Sequence, residues 1–373
     1  MAQELQFIDA DSHVEEHPVM WDRLDPAFKD RRPVPIENPN IPGRPQRDVQ
    51  WFIDGQLFPR LTGHGPTCHG SPPLTSFAKR KPVSVECQGL VDVDARLHDM
   101  DAAGLDVSVV YPTLFLQTVT GDLVYEAALM RAYNDFLADR SAQSRGRIRW
   151  AAPVPVRNVP AAVDELRRTR EMGAVGVMML GTAGDTLLHE RVFDPFWEAA
   201  EELGVPVCIH VGWAHDSLLA SCDSPAAALL LCLEQSMLEA FFSFTAGGIL
   251  DRFPRLKVGL IEASLDWFPV MLERMSHWQG TPTAFPWPAS SAPEHYLRER
   301  DLYFTAEGDE ENLPACLELF GEDRIMGSQD FPHVHFEGGR IGEGFQDLRK
   351  RDDISEQARR KLLVENAQRF YRF

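Results

Sequence analysis

The feature that most constrains this chain is a repeated alternation, in which short apolar, β-branched runs are each followed by a stretch with helical spacing of apolar residues. The runs fall at Leu5–Asp11, Leu105–Tyr111, Ile148–Val154, Ala174–Leu180, Val205–Val211, Lys257–Glu262, Asp301–Glu307 and Arg324–Asp330. The spacing between them predicts helices at Leu123–Arg140, Ala161–Glu171, Pro195–Leu203, Ala226–Leu250, Leu265–His277 and Leu313–Leu319, with a closing helix at Glu356–Tyr371. Such alternation gives parallel strands joined by crossover helices. Eight of them in 373 residues predict a single α/β barrel, the TIM-like (β/α)8 fold, whose chemistry sits at the C-terminal ends of the strands.

Residues 31–90 break this rhythm with prolines, glycines and the pair His64 and His69, and show no sustained helical or strand period. We read them as a long Pro-rich insertion after the first strand, lying over the catalytic face as a lid or a subunit contact. Trp51, Phe52, Phe58 and Phe77 favour packing over disorder there. A second Pro-rich stretch, Gly280–Pro293, reads as a connector.

Thirty-seven basic against 56 acidic residues leave a net charge of −19, which repels phosphate backbones and anionic lipid. Neither nucleic acid nor a membrane surface is therefore an expected partner. The most apolar stretch, Ala226–Phe244, is interrupted by Glu234, Gln235 and Glu239 and reads as a buried helix rather than a membrane span. The opening MAQELQFIDADSHVEE lacks a basic segment followed by an apolar one, so a cytoplasmic protein is expected. Cysteines at 68, 87, 208, 222, 232 and 316 form no CxxC pair and read as reduced thiols. No glycine-rich phosphate cradle or nucleophile elbow is present, and Ser264 and Cys208, close to the expected mouth, have no neighbouring base.

The first strand runs into Asp9-Ala-Asp11-Ser-His13, where alternation would put Asp9, Asp11 and His13 on one face. A carboxylate and an imidazole two residues apart can both reach one divalent ion. The fifth strand ends in His210, the sixth in Glu262 and the eighth in Asp330 within Gly-Ser-Gln-Asp-Phe-Pro-His333. These strand ends surround one mouth, and an ionisable residue ending a buried apolar strand is costly unless paired or metal-bound. Softer candidates are His333 and Trp213 for substrate contact, His215 as a catalytic group in the loop after the fifth strand, and Glu16, one short turn beyond His13, as a loop brace, an ion ligand or a substrate contact. Glu307, ending the seventh strand, faces the mouth by the same logic.

The segments Ile8-Asp-Ala-Asp-Ser-His13, Arg131-Ala-Tyr-Asn-Asp-Phe136, Gly173-Ala-Val-Gly176, Phe193-Asp-Pro-Phe-Trp197, Ile209-His210, Arg252-Phe-Pro-Arg-Leu-Lys257, Gly327-Ser-Gln-Asp-Phe-Pro-His333 and Glu365-Asn-Ala-Gln-Arg-Phe370 cover nearly everything outside the insertion. With them the chain resembles the amidohydrolase-related metal-dependent enzymes grouped with aminocarboxymuconate semialdehyde decarboxylase and the resorcylate-type aromatic decarboxylases. The resemblance implies a metal set of Asp11, His13, His210 and Asp330, with Asp11 in place of the first histidine of an H-x-H pair. An aspartate there weakens nitrogen ligation and brings manganese and iron into competition with zinc, the first choice. On the sixth strand Glu262 stands where many of these decarboxylases have a catalytic histidine. The resemblance also implies a homodimer or larger homo-oligomer.

Two chemistries suit such a site. A carboxy-lyase would hold a small aromatic or unsaturated acid on the ion, and a protonated Asp330 or Glu262 would supply the proton that replaces carbon dioxide. A hydrolase would attack an amide, lactone or related carbonyl with a metal-activated water, Asp330 accepting its proton and Glu262 acting as general acid. The decarboxylase leads because that branch of the family consists largely of decarboxylases. A barrel without metal, kept as a binding component, is the third reading.

Overall fold

The computed structural model describes residues 7–38, 48–60, 67, 69–75, 79, 83–279, 281, 288–333 and 343–373. His64, Cys68, Phe77, the start of the Leu5–Asp11 run and half of Gly280–Pro293 lie outside them.

Parallel strands are stable only with both faces covered, and the eight apolar runs meet that condition as one sheet. Among the described residues thirteen strands form, eight of them in the main sheet. In chain order they are β1 (Ile8–Val14), β2 (Val34–Glu37), β3 (Val49–Ile53), β4 (Gln56–Phe58), β5 (Val107–Pro112), β6 (Ile148–Pro153), β7 (Gly176–Leu180), β8 (Thr182–Ala183), β9 (Thr186–Leu187), β10 (Val207–His210), β11 (Val258–Ile261), β12 (Leu302–Ala306) and β13 (Ile325–Gly327). The main sheet runs β1-β5-β6-β7-β10-β11-β12-β13. It is drawn together where Ser12 pairs in parallel with Phe331, beyond β13, and Asp330 N donates to Asp11 O at 3.1 Å. The result is a nearly closed (β/α)8 barrel, as the sequence predicts, with every expected strand present and only its ends shifted.

The barrel interior is filled by Ile8, Ala10, Tyr111, Met178, Cys208 and Tyr303, together with Phe370 and Tyr371 from the last helix. Tyr371 Oη donates to Ala10 O at 2.8 Å. Cys208 is buried beside Tyr111 and Tyr371, and burial pushes its thiol up to about 12. A larger apolar layer joins the outer strand faces to the helices.

Three expectations need correction. The Ala226–Leu250 region is divided into helices Pro225–Cys232, Gln235–Phe244 and Ile249–Arg252, and Leu229, Leu230 and Leu231 are 45%, 82% and 60% exposed, so the first part is not buried. A 28-residue stretch, Pro225–Arg252, is apolar enough to pass as a membrane span, but these breaks and its acidic residues divide it. Between β1 and β5, where no strand period is legible, β2, β3 and β4 form an antiparallel sheet. Its runs are too short and proline-interrupted to show in the sequence. Trp51 packs edge-on against Trp21 at 6.0 Å and Phe58 is buried, whereas Phe52 is 42% exposed. Helix Val93–Ala103 has no counterpart in the sequence reading. Asp92 caps it, accepting from Asp94 N and Ala95 N, and Gly104 ends it in the left-handed region.

The end of β7 lies hard against the helix that follows β10. A Cβ at Gly181 would sit 1.8 Å from Ser236 O. Gly181→Ala is therefore expected to cost about 3 kcal/mol, read as a lowered midpoint of chemical denaturation. An unchanged midpoint would show that this contact relaxes freely.

Candidate metal centre

The C-terminal ends of β1, β10 and β11 bring Asp11, His13, His210 and Glu262 together, with one ligand atom from each lying within 4.8 Å of the others. His210 Nε2 is 3.1 Å from His13 Nε2, 3.3 Å from Asp11 Oδ1 and 3.7 Å from Glu262 Oε2. Asp330, just beyond β13, places Oδ1 3.2 Å from His13 Nε2. Asp11, His13, His210 and Asp330 are fully buried. Glu262 and Asp330 both have φ near +50°, a left-handed conformation that non-glycine residues rarely hold and that marks strain at functional sites.

Asp9 is not in the cluster. The pairing of β1 with β5 shifts register between Asp9 and Ser12, and this bulge breaks the alternation that would have put Asp9 beside Asp11. Asp9 Oδ1 instead accepts from the backbone N–H groups of Asp11 and Gln329.

His210 Nδ1 lies 3.0 Å from Val211 O, which can only accept, so Nδ1 carries the proton and the neutral ring presents a bare Nε2 lone pair to the cluster. That lone pair faces another imidazole nitrogen and carboxylate oxygens. Asp11 Oδ2 is buried with no hydrogen-bond partner among the described residues. Converging acceptors without donors suit a divalent ion. Burial, then the charge of His333, pushes His13 down to about 4, which keeps it neutral for ligation. Burial raises the Asp11 carboxyl, but His210 and His13 outweigh it and hold it below the usual range. The His210 ring is held up by Asp11 despite its burial.

Arg96, fully buried on the helix the sequence reading missed, braces this end of β1. It donates to Ser12 Oγ at 2.8 Å and His13 O at 3.1 Å, and its guanidinium lies 4.1 Å over the Phe331 ring. It thereby ties the segment carrying Asp11 and His13 to the one carrying Asp330. Only its place in an unpredicted helix hid it.

His333 has a specific partner set. Its Nδ1 lies 2.9 Å and 3.1 Å from the two oxygens of Asp330, and its Nε2 lies 2.9 Å from Thr113 Oγ1. Thr113 gives its hydroxyl proton to Val14 O at 2.9 Å, so it accepts from His333, and Nε2 carries a proton. A second proton must then lie between Nδ1 and Asp330, on one atom or the other. The His333 ring also stacks on His13, with centroids 4.2 Å apart.

Beyond His333 the rings continue outward. His69 stacks on His333 at 5.7 Å and meets the buried Trp213 at 5.1 Å. Gln117 holds this segment by donating from Nε2 to His69 O at 3.1 Å. The sequence singled out His69 as one of a pair but gave it no place in the site, because nothing local says where a loop lies.

Glu16 stands outside the cluster as a loop brace, its carboxylate accepting from Thr113 N and Leu114 N. Burial pushes it from 4.5 up to about 8. The native state then keeps a proton that the unfolded chain releases above about 4.5, so this contribution to stability is full below that pH and declines as pH rises toward 8. Glu16→Gln is expected to flatten that slope, on the order of 1 kcal/mol per pH unit, in denaturation midpoints taken across the range. An unaltered slope would show that Glu16 titrates normally.

The structure does not bring His215 to the cluster: its nitrogens pair with Asp185 at 2.8 Å and Glu239 at 3.2 Å. Glu307 and Ser264 line a cavity of about 450 Å³ that also reaches Glu262 and Glu310. Glu310 accepts from Leu265 N and Glu307 N, and burial pushes it up to about 7.

The model of the family described as Amidohydrolase matches residues 76–373. The chain belongs to the amidohydrolase family. His210, Glu262, Asp330 and His333 lie inside the match, whereas Asp11, His13 and His69 precede it. Among curated proteins, the gamma-resorcylate decarboxylase of Polaromonas sp. (strain JS666) is 27% identical over 299 residues, covering 76% of this chain and 88% of that protein. Among solved structures, an amidohydrolase from Mycobacterium avium subsp. paratuberculosis shares the fold with a TM-score of 0.77 at 21% identity, over 99% of this chain and 98% of that one. A dihydroxybenzoic acid decarboxylase from Polaromonas sp. JS666, solved with manganese and 2-nitroresorcinol, has a TM-score of 0.66 at 21% identity, over 99% and 97%.

Proposed function

We propose that this member of the amidohydrolase family is a divalent-metal-dependent carboxy-lyase that releases carbon dioxide from a small aromatic or unsaturated carboxylic acid. The observation that carries this reading is the contact of His333 Nδ1 with Asp330 at 2.9 Å, which calls for a proton between them, with Asp330 Oδ1 3.2 Å from His13 Nε2. Decarboxylation needs Asp330 protonated at rest, to deliver one proton to the carbon that loses its carboxylate, whereas hydrolysis needs it unprotonated, to accept one from water. The related decarboxylases support the same choice.

Asp11, His13, His210 and Glu262 would hold the ion, with Asp330 beside them. When bound, it holds and polarises the substrate's carboxylate and an adjacent oxygen. Asp330 then gives its proton to the carbon as the C–C bond breaks, so that the bonding pair becomes a C–H bond and carbon dioxide leaves. His333, fixed by Thr113, orients Asp330 and restores its proton for the next turnover. Trp213 and His69 form an aromatic wall against which an unsaturated ring can lie. Two imidazole nitrogens favour zinc. Manganese, bound in the decarboxylase structures from Polaromonas and Novosphingobium, and iron are its competitors. Glu262, with Oε2 3.7 Å from His210 Nε2, is assigned to the ion rather than to the general-acid role that a hydrolase would require. We further propose that residues 31–90 cover the catalytic face as a lid or subunit contact, and that the protein works in the cytoplasm as a homodimer or larger homo-oligomer.

Elemental mass spectrometry of protein purified without chelator should find about one equivalent of zinc, manganese or iron per chain. The loaded protein is then assayed for carbon dioxide release from 2,6-dihydroxybenzoate and a panel of aromatic and unsaturated acids. Release of carbon dioxide supports the lyase, turnover of amides or lactones without it establishes the hydrolase, and protein that takes up no metal leaves the binding barrel. On the best substrate, His69→Ala is expected to raise KM about tenfold while kcat and metal content stay within about twofold. A fall in kcat alone would move His69 from the wall into the chemistry.

A further inference from the structure

Two thiols outside the metal cluster lie against each other. Cys222 Sγ and Cys232 Sγ are 3.4 Å apart, and both residues are 3% exposed. Cys222 follows the short helix Asp216–Leu219, and Cys232 ends helix Pro225–Cys232. The pair is thus brought together by a turn of nine intervening residues whose outer surface is open, since Ser221, Asp223, Ala226 and Leu229–Leu231 are all exposed. The other described cysteines have different surroundings: Cys208 lies among tyrosines, Cys87 beside Arg96, and Cys316 Sγ faces Leu265 O. A disulfide requires sulfurs about 2.05 Å apart. The remaining approach is small for side chains at the ends of short helices.

We infer that Cys222 and Cys232 form a reversible dithiol–disulfide site that takes a disulfide-class oxidant and staples the segment following β10. One thiolate attacks a sulfur of the oxidant R–S–S–R, forming a mixed disulfide and releasing one R–SH. The second thiolate then attacks the protein sulfur of that mixed disulfide, forming the Cys222–Cys232 bond and releasing the second R–SH. Two protein thiols are oxidised and one oxidant disulfide is reduced to two thiols, with protons balanced. Burial pushes the Cys232 thiol up to about 12, so the reactive thiolate is scarce and the reaction proceeds through local opening of the exposed turn. The consequence lies next to the metal centre. Trp213, Leu219, Cys222, Ala228 and Cys232 belong to one buried apolar cluster, so a staple between 222 and 232 stiffens the packing on which the aromatic wall rests.

The test uses the full-length, metal-loaded protein, reduced and then exposed to oxidised glutathione. Expected are a loss of about 2 Da in intact mass, a cross-linked peptide joining Cys222 to Cys232, and reversal by dithiothreitol. Cys222→Ser should abolish the cross-link and leave Cys232 carrying a glutathione adduct or a free thiol. If that variant does not fold, differential alkylation of the wild-type protein decides alone. Loss of Cys222 and Cys232 labelling together supports the site. Both thiols remaining alkylatable after the oxidant, stable glutathione adducts on the wild-type pair, or a cross-link to any other cysteine would overturn it.

Discussion

His210→Ala is expected to purify as folded protein with less than about a tenth of the wild-type metal and less than about a thousandth of its turnover. The ring supplies the lone pair on which Asp11, His13 and Glu262 converge, and its orientation is fixed from behind by the bond from Nδ1 to Val211 O. Without it, the remaining acceptors face one another across an emptied volume with one nitrogen donor instead of two. The fold should persist, because the barrel is filled below the site by Ile8, Ala10, Tyr111, Met178 and Tyr371. Metal analysis and circular dichroism on the same sample separate the two effects. A fully metallated, active His210→Ala protein would remove His210 from the centre.

Asp330→Asn should lower kcat about 10³-fold while metal content stays within about twofold of wild type. The amide can still donate to His333 Nδ1, so the hydrogen bond and the ring position are kept. What disappears is the transferable proton. Asn also leaves the four donors Asp11, His13, His210 and Glu262 in place. His333→Phe, which keeps the stack on His13 but removes both nitrogens, should fall between wild type and Asp330→Asn, since Asp330 can still draw its proton from water. Metal lost in Asp330→Asn to the extent seen in His210→Ala would make Asp330 chiefly a ligand.

The barrel is legible in the sequence because its cause is local and repeated: each apolar run is buried on both faces, and each crossover helix shows its own period. The candidate ligands at the strand ends are legible for the same reason, since His210, Glu262 and Asp330 each close an apolar run. Asp9 is not, because a bulge is a property of how β1 pairs with β5 and leaves no local mark. Arg96, Thr113 and His69 act through contacts with residues far away in the chain, so no local period reveals them. His215 shows the opposite case. A histidine just past a strand end reads as a catalytic candidate, and the structure places its ring against Asp185 and Glu239 rather than in the cluster. The short strands β2, β3 and β4 fall below the length at which alternation can be read at all.

The stack from His13 through His333 and His69 to Trp213 is assembled from four distant stretches of chain, two of which, those of His13 and His69, precede the portion matched by the family model. His13 is held in strand β1, whereas His69 lies in a loop on the outer side of His333. Under selection, the two can therefore drift at different speeds. On the proposed reading, replacing the stretch around His69 would change what the cleft admits without touching the atoms proposed to break the bond, so a lineage could acquire a new diet while inheriting its chemistry intact.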